Sequence, residues 1–383
     1  MAPLTDDDVL RRCEELAPVL AARADEAEDR RRIHDETMAD IEDLLSIVVP
    51  TSLGGHGLGL DTLAHGTRIM AHGDVASAWV LSFLIMHSWL LAKFPAGRRG
   101  EFFPEGRPWA LAPAPLAPTG TATPAEGGYR LSGRWEWATG SSHAEWVMVH
   151  AIEEGPELGT RFAVLPVGEV TIEDNWHTSG MRATASNAVR VDDVFVPADR
   201  TVGATKLMHR PDSVDGDGMA GLAIPPVLAL MASAPAMGAA EGAVEWFRER
   251  SQERVLAFTM GDRQKDQPAA QMRYAAAFSD LCALRSRWDA AIDAVASAEP
   301  PLTDEQRVEA RLAAAATVRG ARAVIATIAE GSGGSAYFHD SPLQRWQRDV
   351  EVLKGHAIFD WDRTTELAGR VLLGTPLGPH DMA

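Results

Sequence analysis

The chain has few cysteines. Only two of its 383 residues are cysteine, Cys13 and Cys282, and they lie far apart in segments with helical patterning. A disulfide framework and a cysteine-ligated metal site are therefore excluded, and this cysteine content is typical of a reduced cytoplasmic protein. Because no two histidines have the i,i+4 spacing of a helical zinc or iron site, we predict no metal ion.

Basic charge is also scarce. Lys and Arg number 36 against 54 Asp and Glu, which gives a net charge of -18, so no nucleic acid is expected as a partner. The most apolar run, residues 78–92, is interrupted by Ser82, His87 and Ser88 and is shorter than the ~20 residues of a membrane span. The N-terminus is acidic and lacks the pattern of a secretory signal. We therefore predict a cytoplasmic protein that binds no membrane.

The sequence changes character twice along its length. Apolar residues recur at helical spacing up to about residue 110, short β-like runs punctuated by Gly and Pro follow, and alanine-rich helical segments occupy the rest. We predict an α+β fold that is mostly α. Its parts are an N-terminal helical domain (1–110), a central antiparallel β domain (111–212) and a C-terminal four-helix bundle (213–383).

The predicted bounds of individual elements follow from the same patterns. The strands are 128–137, 146–152, 161–167 and 188–196, and the bundle helices are 226–258, 267–298, 303–330 and 341–373. Thr303 with Gln306, and Ser341 with Pro342 and Gln344, fit capping boxes at two helix starts.

A glycine-rich segment, SLGGHGLGLD at residues 52–61, is similar to a dinucleotide-binding loop but fails on spacing. If Gly55 and Gly57 are the first two glycines of that motif, Leu60 occupies the third position, and no βαβ alternation follows. We interpret the segment as a turn.

Two motifs carry most of the functional information. The first, GRWEWATGSSHAEW at 133–146, is a tryptophan-rich strand that ends in small and hydroxyl residues, and the second is WHTSGMRATASNAVRVDDVFVP at 176–197. In the first, Trp135, Glu136 and Trp137 are predicted to alternate as in a half-buried strand. By itself this motif also fits a sheet edge that turns into a Ser/Gly loop.

Together the two motifs resemble the acyl-CoA dehydrogenase superfamily. The matching positions are Trp137-Ala138-Thr139, then Ala144-Glu145-Trp146, and later Gly180-Met181-Arg182. His143 before Ala144 makes the chain most similar to the branch of reduced-flavin-dependent two-component monooxygenases. The resemblance covers nearly the whole chain and implies the same order of helices, β domain and four-helix bundle, with a loop between two N-terminal helices where the glycine-rich segment lies.

The position of the dehydrogenase base separates the branches. Arg348-Asp349 resembles the pair that precedes the catalytic region of acyl-CoA dehydrogenases, whose glutamate base follows eight residues after the aspartate. That position is Ala357 here, and His356 precedes it. The monooxygenase branch is therefore favoured. A dehydrogenase-like oxidoreductase with a relocated base and a flavin-free scaffold that kept the fold remain alternatives.

The resemblance implies a two-component enzyme. A separate NAD(P)H:flavin reductase would supply diffusible reduced FMN or FAD, which reacts with O2 to give a C4a-hydroperoxyflavin that hydroxylates a small aromatic or polycyclic substrate. It also implies a homotetramer with the C-terminal bundle at its centre. The sequence does not decide between FMN and FAD. It also does not decide whether carbon, nitrogen or sulfur of the substrate is oxygenated.

Two histidines are the catalytic candidates. His356 could donate to the peroxide or accept a substrate proton, because an unperturbed pKa of ~6.5 allows either state near neutrality. Asp360, four residues on along the predicted helix, could fix its tautomer. His87 matches a pocket histidine of the branch. The alternative for each is an ordinary buried histidine.

The remaining candidates would bind flavin or substrate. Trp137 would pack against the isoalloxazine, and a hydroxyl of Thr139 or Ser141 would donate to flavin N5 or O4. Donors to the polar edge or the phosphate are Arg182, Thr184, Ser186, Arg254 and Arg263, the last two from a neighbouring subunit. Trp79, Phe83, Met86 and Trp89 flank His87 and would line the substrate cavity. Loop capping, core packing and a solvated helix face are the alternatives.

Overall fold

In a computed structural model, the protein is described for residues 3–155, 159–208, 216–378 and 381–383. Helices precede a single sheet, and long helices follow it, in the order predicted. The predicted domain boundary at 212/213 lies outside the described residues, and the division into three domains stays a prediction.

The N-terminal part is helical. Thr5 and Asp8 form a capping box at the first helix. The helices are α1 Asp6–Arg30, α2 Asp35–Asp40, α3 Leu60–Gly73, α4 Val75–Ala92 and α5 Ala96–Phe102. All 18 residues of α4 are buried, so this helix has no solvent-facing side. It is therefore a central element of the core on which side chains can be held rigidly.

The glycine-rich segment 52–61 is a turn, as expected. It begins within a short 3-10 turn, Thr51–Leu53, and ends in the first residues of α3. Gly54 and Gly57 have φ values of 89° and 64°, a region that favours glycine. The segment therefore serves chain reversal between α2 and α3.

One seven-stranded sheet forms the middle of the chain. The strands are β1 Gly120–Ala125, β2 Gly128–Ala138, β3 Trp146–Glu153, β4 Gly159–Pro166, β5 Thr171–Glu173, β6 Asn187–Pro197 and β7 Thr201–Gly203. Their order is β5-β6-β2-β1-β3-β4-β7. The prediction of a purely antiparallel unit was wrong in one pairing, because β1 and β3 run parallel. The sequence patterns missed β1, β5 and β7.

The C-terminal helices form the bundle. They are α7 Ile224–Glu253, α8 Pro268–Ala296, α9 Asp304–Glu330, α10 Pro342–Leu353 and α11 Trp361–Leu372, after a short α6, Ala204–Met208. The Thr303–Gln306 capping box is confirmed. The predicted capping box at Ser341 was wrong. The side-chain amide of Gln344 donates to the Ser341 carbonyl, and the Ser341 hydroxyl makes no cap.

The predicted helix 341–373 is two helices. α10 ends at Leu353, a 3-10 turn occupies Ala357–Phe359, and α11 starts at Trp361. His356 caps the turn and Asp360 caps α11. The periodicity continues across the break, but the two side chains accept backbone hydrogen bonds that an unbroken helix would not offer them.

Among the described residues, three helices are long and apolar enough to cross a membrane by length and composition: α4, α7 and α9. The most apolar windows of α4 and α7 are 100% and 94% buried inside the protein, and that of α9 is 56% buried. Their apolar surface therefore mainly contacts other parts of the chain. The two cysteines lie on helices as expected, Cys13 buried on α1 and Cys282 exposed on α8.

Candidate active site

A row of aromatic rings on α4 connects the two candidate histidines. Trp79, Phe83 and His87 are spaced by four residues and share one helix face. Ring centroids lie 4.5 Å apart for Trp79 and Phe83 and 5.5 Å apart for Phe83 and His87. The imidazole of His356 lies edge-on to Trp79 at 5.7 Å. Both histidines therefore lie along one wall of buried rings, at its two ends.

The predicted hydroxyl residues also come together. The indole N–H of Trp79 donates to Thr139 Oγ1 at 3.2 Å, Thr139 Oγ1 lies 3.0 Å from Ser186 Oγ, and Ser186 Oγ lies 2.7 Å from Thr184 Oγ1. Thr184 in turn donates to the Met181 carbonyl at 2.9 Å. We call these groups, from Trp79 to Met181, the hydroxyl chain.

Each hydroxyl has one hydrogen, which sets the direction of the hydroxyl chain. Because Thr184 gives its hydrogen to Met181, it must accept from Ser186, and Ser186 must then accept from Thr139. Ser141 lies beside the chain and gives its hydrogen to the Ala185 carbonyl at 2.7 Å. In this arrangement Thr139 and Ser141 retain free lone pairs rather than free hydrogens. They are acceptors, where the sequence led us to expect donors.

Trp137 is the exposed member of the strand end. Its φ is 67°, and a bulge between Trp135 and Ala138 interrupts the pairing of β2 with β6. The expected alternation therefore fails, because Trp135 is buried while 61% of Trp137 is exposed. The bulge presents a bare indole next to Thr139, which is uncommon for so large an apolar group.

The His356 ring is held by the backbone. Its Nδ1 accepts the N–H of Ile358 at 3.3 Å, which assigns the hydrogen to Nε2. Burial lowers its pKa to about 4, and the guanidinium of Arg311 adds to the shift. The ring is therefore neutral at pH 7, and the expectation that both protonation states are accessible near neutrality was wrong.

Asp360 does not have the predicted position. Its carboxylate accepts the backbone N–H of Arg363 at 2.8 Å and caps α11, and the residue is exposed. Because His356 and Asp360 belong to different elements, they do not share a helix face. The Ile358 N–H makes the orienting contact instead.

His87 is a buried ring with unmet hydrogen-bonding capacity. Neither ring nitrogen has a well-formed hydrogen bond within the described part of the chain. Burial lowers its pKa to about 3, and the backbone of Ala112 opposes this shift slightly. A buried polar atom without a partner is costly, so such an atom indicates a ligand group.

The other predicted pocket residues differ in their surroundings. Met86 is fully buried on α4, and Phe83 contacts Trp79 and His87. Trp89 donates its indole N–H to the Met219 carbonyl at 3.0 Å, so it is bound to the segment before α7 rather than to the ring row. Its role as a pocket wall remains a prediction.

The predicted arginines fall into two groups. Arg182 lies beside the hydroxyl chain, and its Nε is 3.6 Å from Glu28 Oε1. Arg254 donates to the Gly331 carbonyl and to Gln264 Oε1, both at 3.0 Å, and so supports the GSGGS loop at 331–335. Arg263 is exposed and forms a β-bridge with Val255. These contacts join Arg254 and Arg263 to the ends of α7, α8 and α9, and none joins them to the hydroxyl chain.

Two groups organise the site in ways that the sequence did not indicate. Trp79 was predicted only to flank His87 in the substrate cavity, but it also links the ring row to the hydroxyl chain. Arg311 on α9 donates to the Ala357 carbonyl at 3.0 Å and so supports the turn that carries His356. A tryptophan eight residues before His87 was the one available signal for the first, and nothing in the sequence indicated the second.

The described residues fit a flavin and show no metal site. An exposed indole and a group of hydroxyl oxygens that can accept hydrogen bonds suit a flat ring with N–H groups on its polar edge. Reduced flavin has such a ring. In the described ranges, no three side chains of His, Cys, Asp or Glu group together as ligands.

Comparison with known proteins places the chain in a family. The family model for the acyl-CoA dehydrogenase C-terminal domain matches residues 230–361. A pigment production hydroxylase of Rhodococcus sp. is 31% identical over 388 residues, covering 98% of this chain and 98% of that protein. The oxygenase subunit HsaA of a flavin-dependent monooxygenase from Mycobacterium tuberculosis is 31% identical, with 97% and 96% covered. The solved structure of XiaF from Streptomyces sp. in complex with FADH2 and glycerol superposes with a TM-score of 0.88 at 26% identity, covering 98% and 96%.

The chain belongs to the acyl-CoA dehydrogenase superfamily, in its branch of flavin-dependent monooxygenase oxygenase components. It is an enzyme that uses reduced flavin, and its class works with O2 and a separate reductase. The dehydrogenase alternative is not favoured, because Ala357 takes the place of the base and the relatives are oxygenases.

Proposed function

We propose that this enzyme hydroxylates a small phenol-like substrate bound along the ring row of Trp79, Phe83 and His87. The observation that carries the proposal is the pair of neutral histidines at the ends of that row, one of which has ring nitrogens without a well-formed hydrogen bond to any described residue. Names of relatives support an aromatic substrate, since they include a resorcinol hydroxylase and a p-hydroxyphenylacetate 3-hydroxylase.

His87 would bind the substrate hydroxyl. A neutral imidazole offers one acceptor and one donor, and both of its nitrogens lack a well-formed bond within the described residues. Because its pKa is lowered to about 3, His87 is a weak base. Its role would be to orient the hydroxyl and draw electron density into the ring by accepting a hydrogen bond, rather than to remove the proton outright. Phe83 and Met86 would contact the aromatic faces and edges.

His356 would act at the oxygen that is transferred. Reduced flavin, when bound, supplies two electrons to O2, so that one oxygen atom enters the substrate and the other leaves as water. The Nε2–H of His356 would donate a hydrogen bond to reactive oxygen, and the buried rings of Trp79 and Phe359 would exclude water from it. Exclusion of water favours oxygen transfer over release of peroxide.

The flavin ring would lie at the end of β2. Trp137 would stack on it, while the lone pairs of Thr139 and Ser141 would accept hydrogen bonds from N–H groups that only the reduced ring carries at N5. Arg182, Thr184 and Ser186 would approach its polar edge. The polarity of the hydroxyl chain therefore supports preferential binding of reduced flavin.

A neighbouring subunit would complete the phosphate end of this site. The hairpin at 255–263 carries Phe258 and Met260, which are fully exposed, together with Arg263 near Arg254. An apolar side chain left bare in this way is typical of a surface covered by a partner. We therefore propose that Arg254 and Arg263 serve the flavin of an adjacent copy in a homotetramer built around the C-terminal helices, in the cytoplasm.

Direct measurement of oxygen insertion tests the proposed activity. The protein, mixed with anaerobically reduced flavin and a phenol and then with 18O2, should give a hydroxylated product that carries one labelled atom. Bleaching of oxidised flavin by an acyl-CoA without hydroxylation would instead support the dehydrogenase. Failure to bind flavin in either redox state would leave a scaffold.

Subunit complementation tests the shared site. Arg254→Gln and His356→Ala should each be poorly active alone. If Arg254 serves a neighbour, tetramers formed from both variants contain some sites with both native residues, and activity returns in part. No recovery on mixing would place Arg254 in the same chain's site or outside any site.

A further inference from the structure

Two buried carboxyl groups lie behind the site. Asp349 on α10 is 3% exposed, and its Oδ1 accepts the backbone N–H of Met181 at 2.5 Å. Asp74 is 2% exposed and caps α4 by accepting the N–H of Ser77 at 2.7 Å. α10 packs against α4. The second oxygen of Asp349, Oδ2, is buried without a hydrogen-bond partner in the part of the chain that the structure describes.

Each carboxyl group anchors one half of the site. Met181 has a φ of 53°, a left-handed conformation that a bulky residue adopts only when it is held there. Its carbonyl ends the hydroxyl chain. Asp74 fixes the first turn of α4, the helix that carries Trp79, Phe83 and His87. Asp349 thus holds the turn at Met181, on the side of the proposed flavin site. Asp74 holds α4, on the side of the proposed substrate site.

The nearby cations are mostly committed elsewhere. Arg348 on α10 makes a two-pronged contact with Glu28 of α1, at 2.5 and 2.9 Å. Arg345 bonds Asp25 of α1, and its Nε lies 3.9 Å from Asp74. Arg182, from the turn itself, faces Glu28. Arg345 lowers the pKa of Asp74 and Arg348 lowers that of Asp349, but burial has the larger effect on both carboxyl groups. Burial raises the pKa of Asp349 to about 7, and the charge of Asp74 adds to the rise. Burial also raises the pKa of Asp74.

We propose that Asp74 and Asp349 act as one buried carboxyl pair that shares a single proton and holds the hydroxyl chain in register with the ring row. They are positioning residues, because each acts through a backbone amide. Two like carboxyl groups in a dry site do not both ionise, and such a pair titrates as a unit. The part of the proposal that concerns flavin rests on the assignment of the hydroxyl chain to the flavin ring.

Asparagine and alanine variants of Asp349 distinguish the effect of the shared proton from the effect of losing the side chain that anchors Met181. Asparagine keeps an oxygen for Met181 N–H and replaces a protonated Oδ2 by a donor, so Asp349→Asn should bind reduced flavin within about twofold of the wild type. Asp349→Ala loses the anchor, and its dissociation constant for reduced flavin, followed by tryptophan fluorescence, should rise roughly tenfold. Asp280→Asn, on an exposed face of α8, is the matched control.

The pH dependence of unfolding gives a readout without flavin. A folded-state pKa near 7, against 3.8 for an ordinary aspartate, means that the pair's contribution is complete below pH about 4 and is lost as the pH rises to about 7. As the pH is raised from 4 to 7, the melting temperature of Asp349→Asn should therefore increase relative to that of the wild type. Asp74→Asn keeps the cap but removes the like charge, so its pH dependence should shrink as well.

The outcomes distinguish the two parts of the proposal. If Asp349→Asn and Asp74→Asn melt with the pH profile of the wild type and of Asp280→Asn, the pair shares no proton and the proposal fails. If the profiles change as expected but Asp349→Ala binds reduced flavin normally, the pair does not position the site. If the wild type itself binds no flavin, the assignment of the hydroxyl chain fails while the titration result still decides the shared proton.

Discussion

The indole nitrogen of Trp79 lies 3.2 Å from Thr139 Oγ1 and donates a hydrogen bond that joins the buried helix α4 to the end of strand β2. It supplies the hydrogen that Thr139 accepts at the start of the hydroxyl chain, whose direction is set from the other end, where Thr184 donates to the Met181 carbonyl. A side chain in the row proposed to contact the substrate thereby occupies one lone pair of Thr139, which is proposed to face the flavin. The following predictions test that coupling and the roles of the neighbouring groups.

Trp79→Phe should weaken reduced-flavin binding and increase peroxide release. The ring is retained but the hydrogen bond to Thr139 is lost, so Thr139 is no longer held against α4. An ordinary hydrogen bond contributes about 0.5–1.5 kcal/mol, or roughly two- to tenfold in affinity. Flavin titration under anaerobic conditions and a peroxide assay measure the two effects.

A matched control exists in the bundle. Trp288 is fully buried, and its indole N–H donates to Ser233 Oγ at 2.8 Å. Trp288→Phe should lower the melting temperature about as much as Trp79→Phe while leaving flavin affinity unchanged. Equal flavin affinities of the two variants would contradict a role for Trp79 in the flavin site.

His356→Ala should uncouple the reaction without impairing flavin binding. Loss of the Nε2–H donor should slow hydroxylation by about 10²–10⁴-fold, the usual range for a positioned acid–base group, and divert electrons to peroxide. His339→Ala, at an exposed position, provides the control. Unchanged rate and coupling would remove His356 from the mechanism.

The pH dependence of turnover addresses the protonation state of His356. Because burial and Arg311 lower its pKa to about 4, the imidazole stays neutral across the working range. We therefore expect that the pH profile of the rate near pH 6.5 has the same shape in the wild type and in His356→Ala. An inflection present only in the wild type would mean that the ring titrates during turnover.

His87→Phe should stabilise the protein while impairing substrate binding. Folded His87 has a pKa of about 3 against an ordinary value of 6.5, so its contribution to stability is complete above pH 6.5 and is lost as the pH falls to about 3. The variant avoids this loss, which amounts to about 2 kcal/mol at pH 5.

Two measurements check the His87 variant. The difference in free energy of unfolding between variant and wild type should widen from pH 7 to pH 5, and the KM for a phenol should rise. A pH-independent difference with an unchanged KM would identify His87 as an ordinary core residue.

Asp360→Ala should affect stability alone. The carboxylate caps α11 through the Arg363 N–H, and loss of such a cap costs about 1 kcal/mol. Asp360→Ser retains a capping oxygen and should restore the melting temperature. If Asp360→Ala released peroxide as His356→Ala does, the carboxylate would have the orienting role that its position argues against.

The sequence predicted which residues gather at the site better than how they bond. Thr139, Thr184 and Ser186 meet as the paired motifs indicated, because the two motifs lie on the neighbouring strands β2 and β6. Their direction is set at the Met181 carbonyl, and their link to α4 depends on Trp79, which comes from a helix far away in the sequence. No local pattern encodes a contact between residues 60 positions apart.

Periodicity misled us where a side chain competes with the backbone. Asp360 is spaced correctly for a helix face shared with His356, but both residues accept backbone amides and break the helix between them. Trp137 likewise follows the two-residue period of a strand, and the bulge turns it outward. Such local exceptions need tertiary contacts to be recognised.

The two cysteines make the native chain suitable for single-site labelling. Burial raises the pKa of the Cys13 thiol to about 12, so it forms almost no thiolate at neutral pH, whereas Cys282 is exposed on α8. A maleimide probe should therefore attach once per chain, without any substitution. Spectroscopic distances between probes on identical α8 helices would then report directly how many copies assemble and how they are arranged.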